Sequence, residues 1–177
     1  MTLARVRSAF NAPWIALVFG TIYVLSQTAL GLMIAPLGTG AVLRMQCTFF
    51  SAGDYVAYFG ELRQRGLLDV YASHLLLDRL HPIWYVLCAV SWLATLLERR
   101  ESPARWNWLL ALPWLAGLSD VIENELQSVF LLGDSHITTP LVVLSTLSSL
   151  LKWSCTAVFM TAIVKLTFTR SPERRVG

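Results

Sequence analysis

The run WNWLLALPWLAGLSDVIENELQSVFLL, Trp106 to Leu132, is apolar for most of its length and long enough to cross a ~30 Å hydrocarbon core as a helix. Its second half breaks that pattern. Asp120, Glu123, Asn124 and Gln127 recur at i, i+3, i+4 and i+7, which places all four on one helical face. Pro113 and Gly117 continue this face, whereas Glu125 points roughly 140° away from Asp120. Charge at the centre of a span costs roughly 2.5–3.5 kcal/mol on insertion scales, so such residues turn to a bundle interior or a wet cavity and find partners there.

The next apolar run, 139–168, offers partners. Ser145, Ser148, Ser149, Lys152 and Thr156 share a face. A six-residue turn, Gly133 to Thr138, makes the two runs an antiparallel hairpin. Asp120 lies 12 residues before Leu132, ~18 Å along the axis, and Lys152 lies 13 residues after Thr139, ~20 Å. The sequence therefore predicts an ion pair of Lys152 with Asp120 or Glu123, with Ser148 and Ser149 level with Glu123 and Asn124. Three acids against one lysine leave two excess negative charges if all ionise. A retained proton would relieve that imbalance and supply acid/base chemistry.

Two earlier runs complete a four-span plan. The first, 13–37, follows Arg5 and Arg7 and exceeds the ~7–15-residue apolar core of a signal peptide, so an uncleaved span is expected. It adds Tyr23 and Gln27, with Gln27 level with Glu123. The second, 80–98, is short, with a break or bend expected at Pro82. It adds Cys88, Ser91 and Thr95, with Tyr85 and His81 near its outer end. The spans thus read as 13–37, 80–98, 106–132 and 139–168 of a single membrane domain, 1–177. The expected fold is an all-α integral membrane protein, a four-transmembrane-helix bundle with one or two short interfacial helices in the first extracytoplasmic loop. In that loop Ser51 and Asp54 form a capping-box pattern that starts a helix near 52–65, and Gly66 reads as its stop.

Composition agrees with a membrane protein. Apolar residues make up 55% of the 177 residues and charged residues 14%, against about 25% in soluble domains. Mean hydropathy is +0.57. Eight of the twelve Arg crowd the termini and one short loop, Arg99 to Arg105, while the turn between the last two runs has no Arg or Lys. By the positive-inside rule both termini are cytoplasmic, including the short basic tail 170–177. The long first loop carries Arg44, Arg63, Arg65 and Arg79. No basic stripe with interleaved aromatics points to nucleic acid. The Arg bias fits a bacterial source and the inner (plasma) membrane. Cys47, Cys88 and Cys155 give no CxxC motif and no disulfide framework, which argues against a quinone-linked disulfide oxidase.

The candidate catalytic residues are therefore Asp120, Glu123, Asn124 and Lys152. Candidate ligand-binding residues are Gln127, Gln27, Tyr23, Ser148, Ser149, Tyr85 and His81. A second cluster, His74, Asp78 and His81, would share a face on one continuous helix; it lacks a recognised metal motif and reads as a polar lid or pocket rim, so neither metal nor cofactor is expected. The polar stripe suits a pocket for a lipid- or isoprenoid-like molecule, with acid/base transformation as one use of it. Proton-coupled transport or relay as a homo-oligomer is the alternative from another class, and a non-catalytic accessory subunit of a membrane complex is the third. Size and four-span plan resemble the sterol-isomerase and sigma-2-receptor superfamily, which uses intramembrane carboxylates. The resemblance is architectural; the segment Asp120 to Asn124 departs from that family's sequence pattern, and no residue role is carried over.

Overall fold

The computed structural model describes residues 2–38 and 40–168. The basic tail 170–177 read from the sequence lies outside them. Every regular element among the described residues is helical: α1 (Leu3–Phe10), α2 (Pro13–Ile34), α3 (Ala41–Thr48), α4 (Ala52–Gln64), α5 (Leu68–Asp78), α6 (His81–Arg99), α7 (Ala111–Phe130) and α8 (Thr139–Phe168), with 3-10 turns at Ala35–Leu37, Ala104–Leu110 and Asp134–His136.

Two segments are long and apolar enough to cross a membrane: Pro13–Leu37, mean hydropathy 1.7, and Thr139–Phe168, mean hydropathy 1.5. A third is added if α5 and α6 count as one broken span, bent by 41°. The bend falls where the sequence predicts it, with Pro82 in the first turn of α6. The segment 106–132 differs from its sequence reading. Its first residues form the 3-10 turn, and the α-helix begins only at Ala111. Asp120, Glu123 and Glu125 also keep α7 out of the uniformly apolar class.

α7 and α8 form the predicted antiparallel hairpin, α6 packs on α7, and α2 packs on α6 and α5. Gly117 permits the α6–α7 approach: a Cβ there would lie 2.5 Å from Val86 Cγ2. At one end of the molecule Val6, Val86, Val90, Leu93, Leu110 and Phe159 make one apolar core. At the other, Met45, Tyr55, Phe59, Tyr71, Phe130 and Val142 make a second. The polar residues of α7 and α8 lie between the two.

The first loop closes the second core. Ser51 Oγ accepts from the Asp54 N–H at 3.3 Å, and Asp54 Oδ2 accepts from the Ser51 N–H at 3.0 Å, the predicted capping box. The Ser51 hydroxyl and then its backbone N–H hold the Asp54 carboxyl below the usual range. Gly66, at φ +66°, ends α4 through Gly66 N–H to Arg63 O and Leu67 N–H to Leu62 O. Tyr55 packs edge-on against Phe130 with centroids 5.0 Å apart, so α4 covers the end of the hairpin. The sequence predicts one or two short helices in this loop; α4 matches the one read near 52–65, and α3 is a second.

α1 has no sequence-level counterpart above. It packs under α6 and delivers Arg7, whose guanidinium donates to Leu97 O at 2.7 Å, Ser102 O at 2.8 Å and Asn107 Oδ1 at 3.2 Å, and pairs with Glu98 at 2.8 Å. Arg7 thereby gives the Leu97 carbonyl, which also accepts from the Ser102 N–H at 2.9 Å, a second donor, and binds the Ser102 carbonyl in the turn after α6.

Candidate functional site

A cavity of about 900 Å³ lies between α2, α3, α5, α6 and α8, with Asp120 of α7 at its inner wall. Its lining is mostly apolar. Its polar groups include His74 and Asp78 of α5, His81 and Tyr85 of α6, Asp120 of α7, Lys152 of α8, Tyr23 and Gln27 of α2 and Gln46 of α3.

Lys152 Nζ lies 2.9 Å from Asp120 Oδ1 and 2.7 Å from Glu123 Oε2. The ion pair read from matched depths is thus a triad with one cation between two carboxylates. Helix periodicity brings the acids to one face, and the hairpin turn sets the height of the lysine. The two carboxylates differ in access. Asp120 borders the cavity, whereas Glu123 is sealed at 0% exposure. Glu123 Oε1 accepts from Gln127 Nε2 at 2.8 Å, and Gln127 Oε1 accepts from the Tyr71 hydroxyl at 2.7 Å. The network therefore runs from the cavity wall back into the second core.

The sequence-predicted site residues divide along this line. Asp120, Lys152, Tyr23, Gln27, Tyr85 and His81 line the cavity. Glu123, Asn124, Gln127, Ser148 and Ser149 are buried without bordering it. Asn124 Nδ2 donates to the backbone oxygen of Asp78 at 3.2 Å, tying α7 to the end of α5. Ser149 Oγ back-bonds to Ser145 O at 3.1 Å. The face of α7 is wide enough to have two clients: its Asp120 edge meets the cavity, and the rest meets α8 and α5.

His74, Asp78 and His81 all border the cavity despite the helix break. Among the described residues no three His, Cys, Asp or Glu side chains converge to hold a metal ion. Glu125 turns outward and pairs with Arg79 at 3.1 Å, both side chains about half exposed.

Two residues of this region escape sequence reasoning. Gln46 of α3 reaches the cavity from a helix whose register the sequence leaves open. Ser26 of α2 is buried, with its Oγ 3.0 Å from Tyr23 O and 2.9 Å from His81 Nδ1. A signal for Ser26 exists: it shares a face with Tyr23 and Leu30 at helical spacing. The rings of Tyr23 and Tyr85 flank the imidazole, with centroids 5.3 and 5.7 Å from it. Tyr85 lies beside Asp120, and its hydroxyl is buried.

Comparison with protein-family models, with curated proteins and with solved structures gives no match to this chain.

Proposed function

We propose that the chain is a bacterial inner-membrane protein that crosses the bilayer four times with cytoplasmic termini and binds a lipid-like small molecule in the cavity beside Asp120 and Lys152. The observation that carries this reading is the pairing of a largely apolar 900 Å³ cavity with a buried ion pair on one wall. Ligand pockets are typically about 300–1,000 Å³, mostly apolar, with a few fixed polar groups.

Several features support a bilayer setting. The outer face of α7 is apolar, with Leu115, Leu118, Val121 and Ile122 exposed, while its inner face is polar and buried. A soluble helix has the opposite polarity. Exposed Trp14, Trp106 and Trp108 gather at the end that carries Arg5, Arg99 and Arg105, the pattern of an interfacial aromatic belt beside cytoplasmic basic residues. The cavity wall is continuous with this outer surface. Leu17, Val24 and Leu25 of α2 and Trp153 and Met160 of α8 both line the cavity and are exposed. An amphiphile can therefore reach the site sideways from the bilayer.

Within the site, Asp120 and Lys152 fix the polar end of the ligand, with Tyr23, Gln27, Tyr85 and His81 around it. Glu123, Asn124, Gln127, Ser148 and Ser149 hold that pair in place. Acid/base chemistry, if the ligand undergoes any, falls to Asp120 and His81, because Glu123 cannot reach the cavity.

Native mass spectrometry and lipidomics on protein extracted with its bilayer test the reading. A stoichiometric amphiphile is expected with the wild type and a clear loss of occupancy with Asp120→Asn. Wild-type protein that carries nothing and takes up no added amphiphile would overturn it.

A further inference from the structure

We infer that the cavity takes an amphiphile with a cationic head, a lipid-like amine, and that Asp78 is the residue that selects it over an alcohol or an acid. The inference rests on the reading of the cavity as an amphiphile site and adds the charge of the ligand to it.

The charges on the lining do not balance. Asp78 of α5 and Asp120 of α7 both border the cavity, and among the described residues Lys152 is the one lysine or arginine that does. That lysine is already shared. Its Nζ lies 2.9 Å from Asp120 Oδ1 and 2.7 Å from Glu123 Oε2. Asp78 has no such partner: among the described residues it enters no ion pair, and the hydrogen-bonding side chain beside it is the Asn124 amide. Arg79, next along the chain, turns away to Glu125 at 3.1 Å. His74 and His81 are buried, and a neutral imidazole brings no charge. Three carboxyls thus stand against one cation. Acidic side chains inside a bilayer pair with one another's counter-ions or with what they bind.

Asp78 is also held where a ligand can use it. It ends α5 at the 41° bend, and its backbone oxygen accepts from Asn124 Nδ2 at 3.2 Å. Its backbone is thus tied to α7, while its side chain is left out of the ion triad.

Each ligand class meets this lining differently. An ammonium gives Asp78 its missing counter-charge and brings only donors, which suits carboxylates. An alcohol brings a hydrogen bond but no charge. A carboxylate would face Asp78 and Asp120 with Lys152 already engaged. The ammonium pair forms from either state of Asp78. With the carboxyl ionised, an ammonium meets it directly. With the carboxyl protonated, a neutral amine arriving from the bilayer takes the proton: the Asp78 O–H bond breaks as the N–H bond forms, and the same ion pair results.

The test uses the full chain in nanodiscs of zwitterionic lipid, with radiolabelled dodecylamine, dodecanol and dodecanoic acid as probes near neutral pH. Uptake is measured over that of empty nanodiscs of the same lipid. The wild type is expected to take up the amine in clear preference to the alcohol and the acid. Asp78→Asn should weaken the amine about ten- to hundredfold, the worth of a hydrogen bond to a charged group, with little effect on the other two probes. Asp78→Glu should keep most of the amine affinity. The wild-type order decides the ligand class without any variant. Alcohol or acid taken up as well as the amine, or an Asp78→Asn protein that keeps the amine preference, would overturn the inference and leave the amphiphile site standing. Uptake of no probe above the empty nanodiscs would remove both.

Discussion

Lys152 is the residue on which the interior depends. It sits between Asp120 and Glu123 with its side chain 10% exposed, and neither carboxylate has another cation near it among the described residues. Removing one partner of a buried ion pair typically costs about 3–5 kcal/mol, because the remaining charge is left unpaired. Lys152→Met is therefore expected to destabilise the protein by roughly that amount in a reversible unfolding titration in mixed micelles. Adding Asp120→Asn and Glu123→Gln should recover most of the loss, since the stranded charges go with the cation. A triple variant as unstable as Lys152→Met would show that the lysine acts by its shape rather than its charge. The triad is also what the sequence disclosed best. Helical spacing and a rise of 1.5 Å per residue were enough to bring Lys152 level with the acids. Which carboxylate would meet the cavity was not legible, because periodicity assigns a face and only packing divides it between neighbours. The partners of Ser26 and Glu125 were not legible for a related reason: His81 and Arg79 flank the α5–α6 break, whose 41° angle no local pattern specifies.

At the scale of elements, the contact between α6 and α7 is the tightest constraint near the site. A methyl at Gly117 would overlap Val86 Cγ2, and a β-branched side chain has few ways to move aside. Gly117→Ala is expected to cost ~1–3 kcal/mol through overpacking. Because Val86 follows Tyr85, the same change should also loosen the cavity wall and weaken amphiphile binding. Gly117→Ala together with Val86→Ala should restore much of the stability. Unfolding titrations of the single and double variants check this, and unchanged stability in the single variant would mean that α6 and α7 are not in close contact. The elements were unevenly legible. The capping box at Ser51, the Gly66 stop and the bend at Pro82 are local signals, and each appears in the structure. α1 was hidden, since Leu3–Phe10 alone is a short segment; its role follows from the carbonyls Arg7 reaches some ninety residues away.

The whole molecule turns on whether α7 crosses the bilayer. By length and composition α2 and α8 are candidate spans, α5 with α6 is a third, and α7 is disqualified by its acids. Four crossings follow if those acids are shielded by α8, as the triad allows. The prediction is then topological. Single cysteines placed at Ser102 and at Ser135 in a cysteine-free background should label from opposite sides of sealed vesicles, Ser102 from the cytoplasmic side. Labelling of both from one side would mean that α7 returns without crossing.

The hairpin also bears on how the chain would enter a membrane. Taken alone, α7 would be rejected by a lateral gate that sorts segments by apolarity, and α8 would bring an unneutralised ammonium with it. Bound at 2.9 and 2.7 Å, the two helices share one cation between two carboxylates, which leaves less uncompensated charge than either helix carries alone. Under the four-crossing reading they must leave the insertion machinery together, after Lys152 has been synthesised. Biogenesis then has a fixed order, in which α7 waits for its partner. A slide of one helical turn, about 5.4 Å, would strand a charge in hydrocarbon. Under the four-crossing reading, the ion triad would thus select the inserted register of α7 against α8.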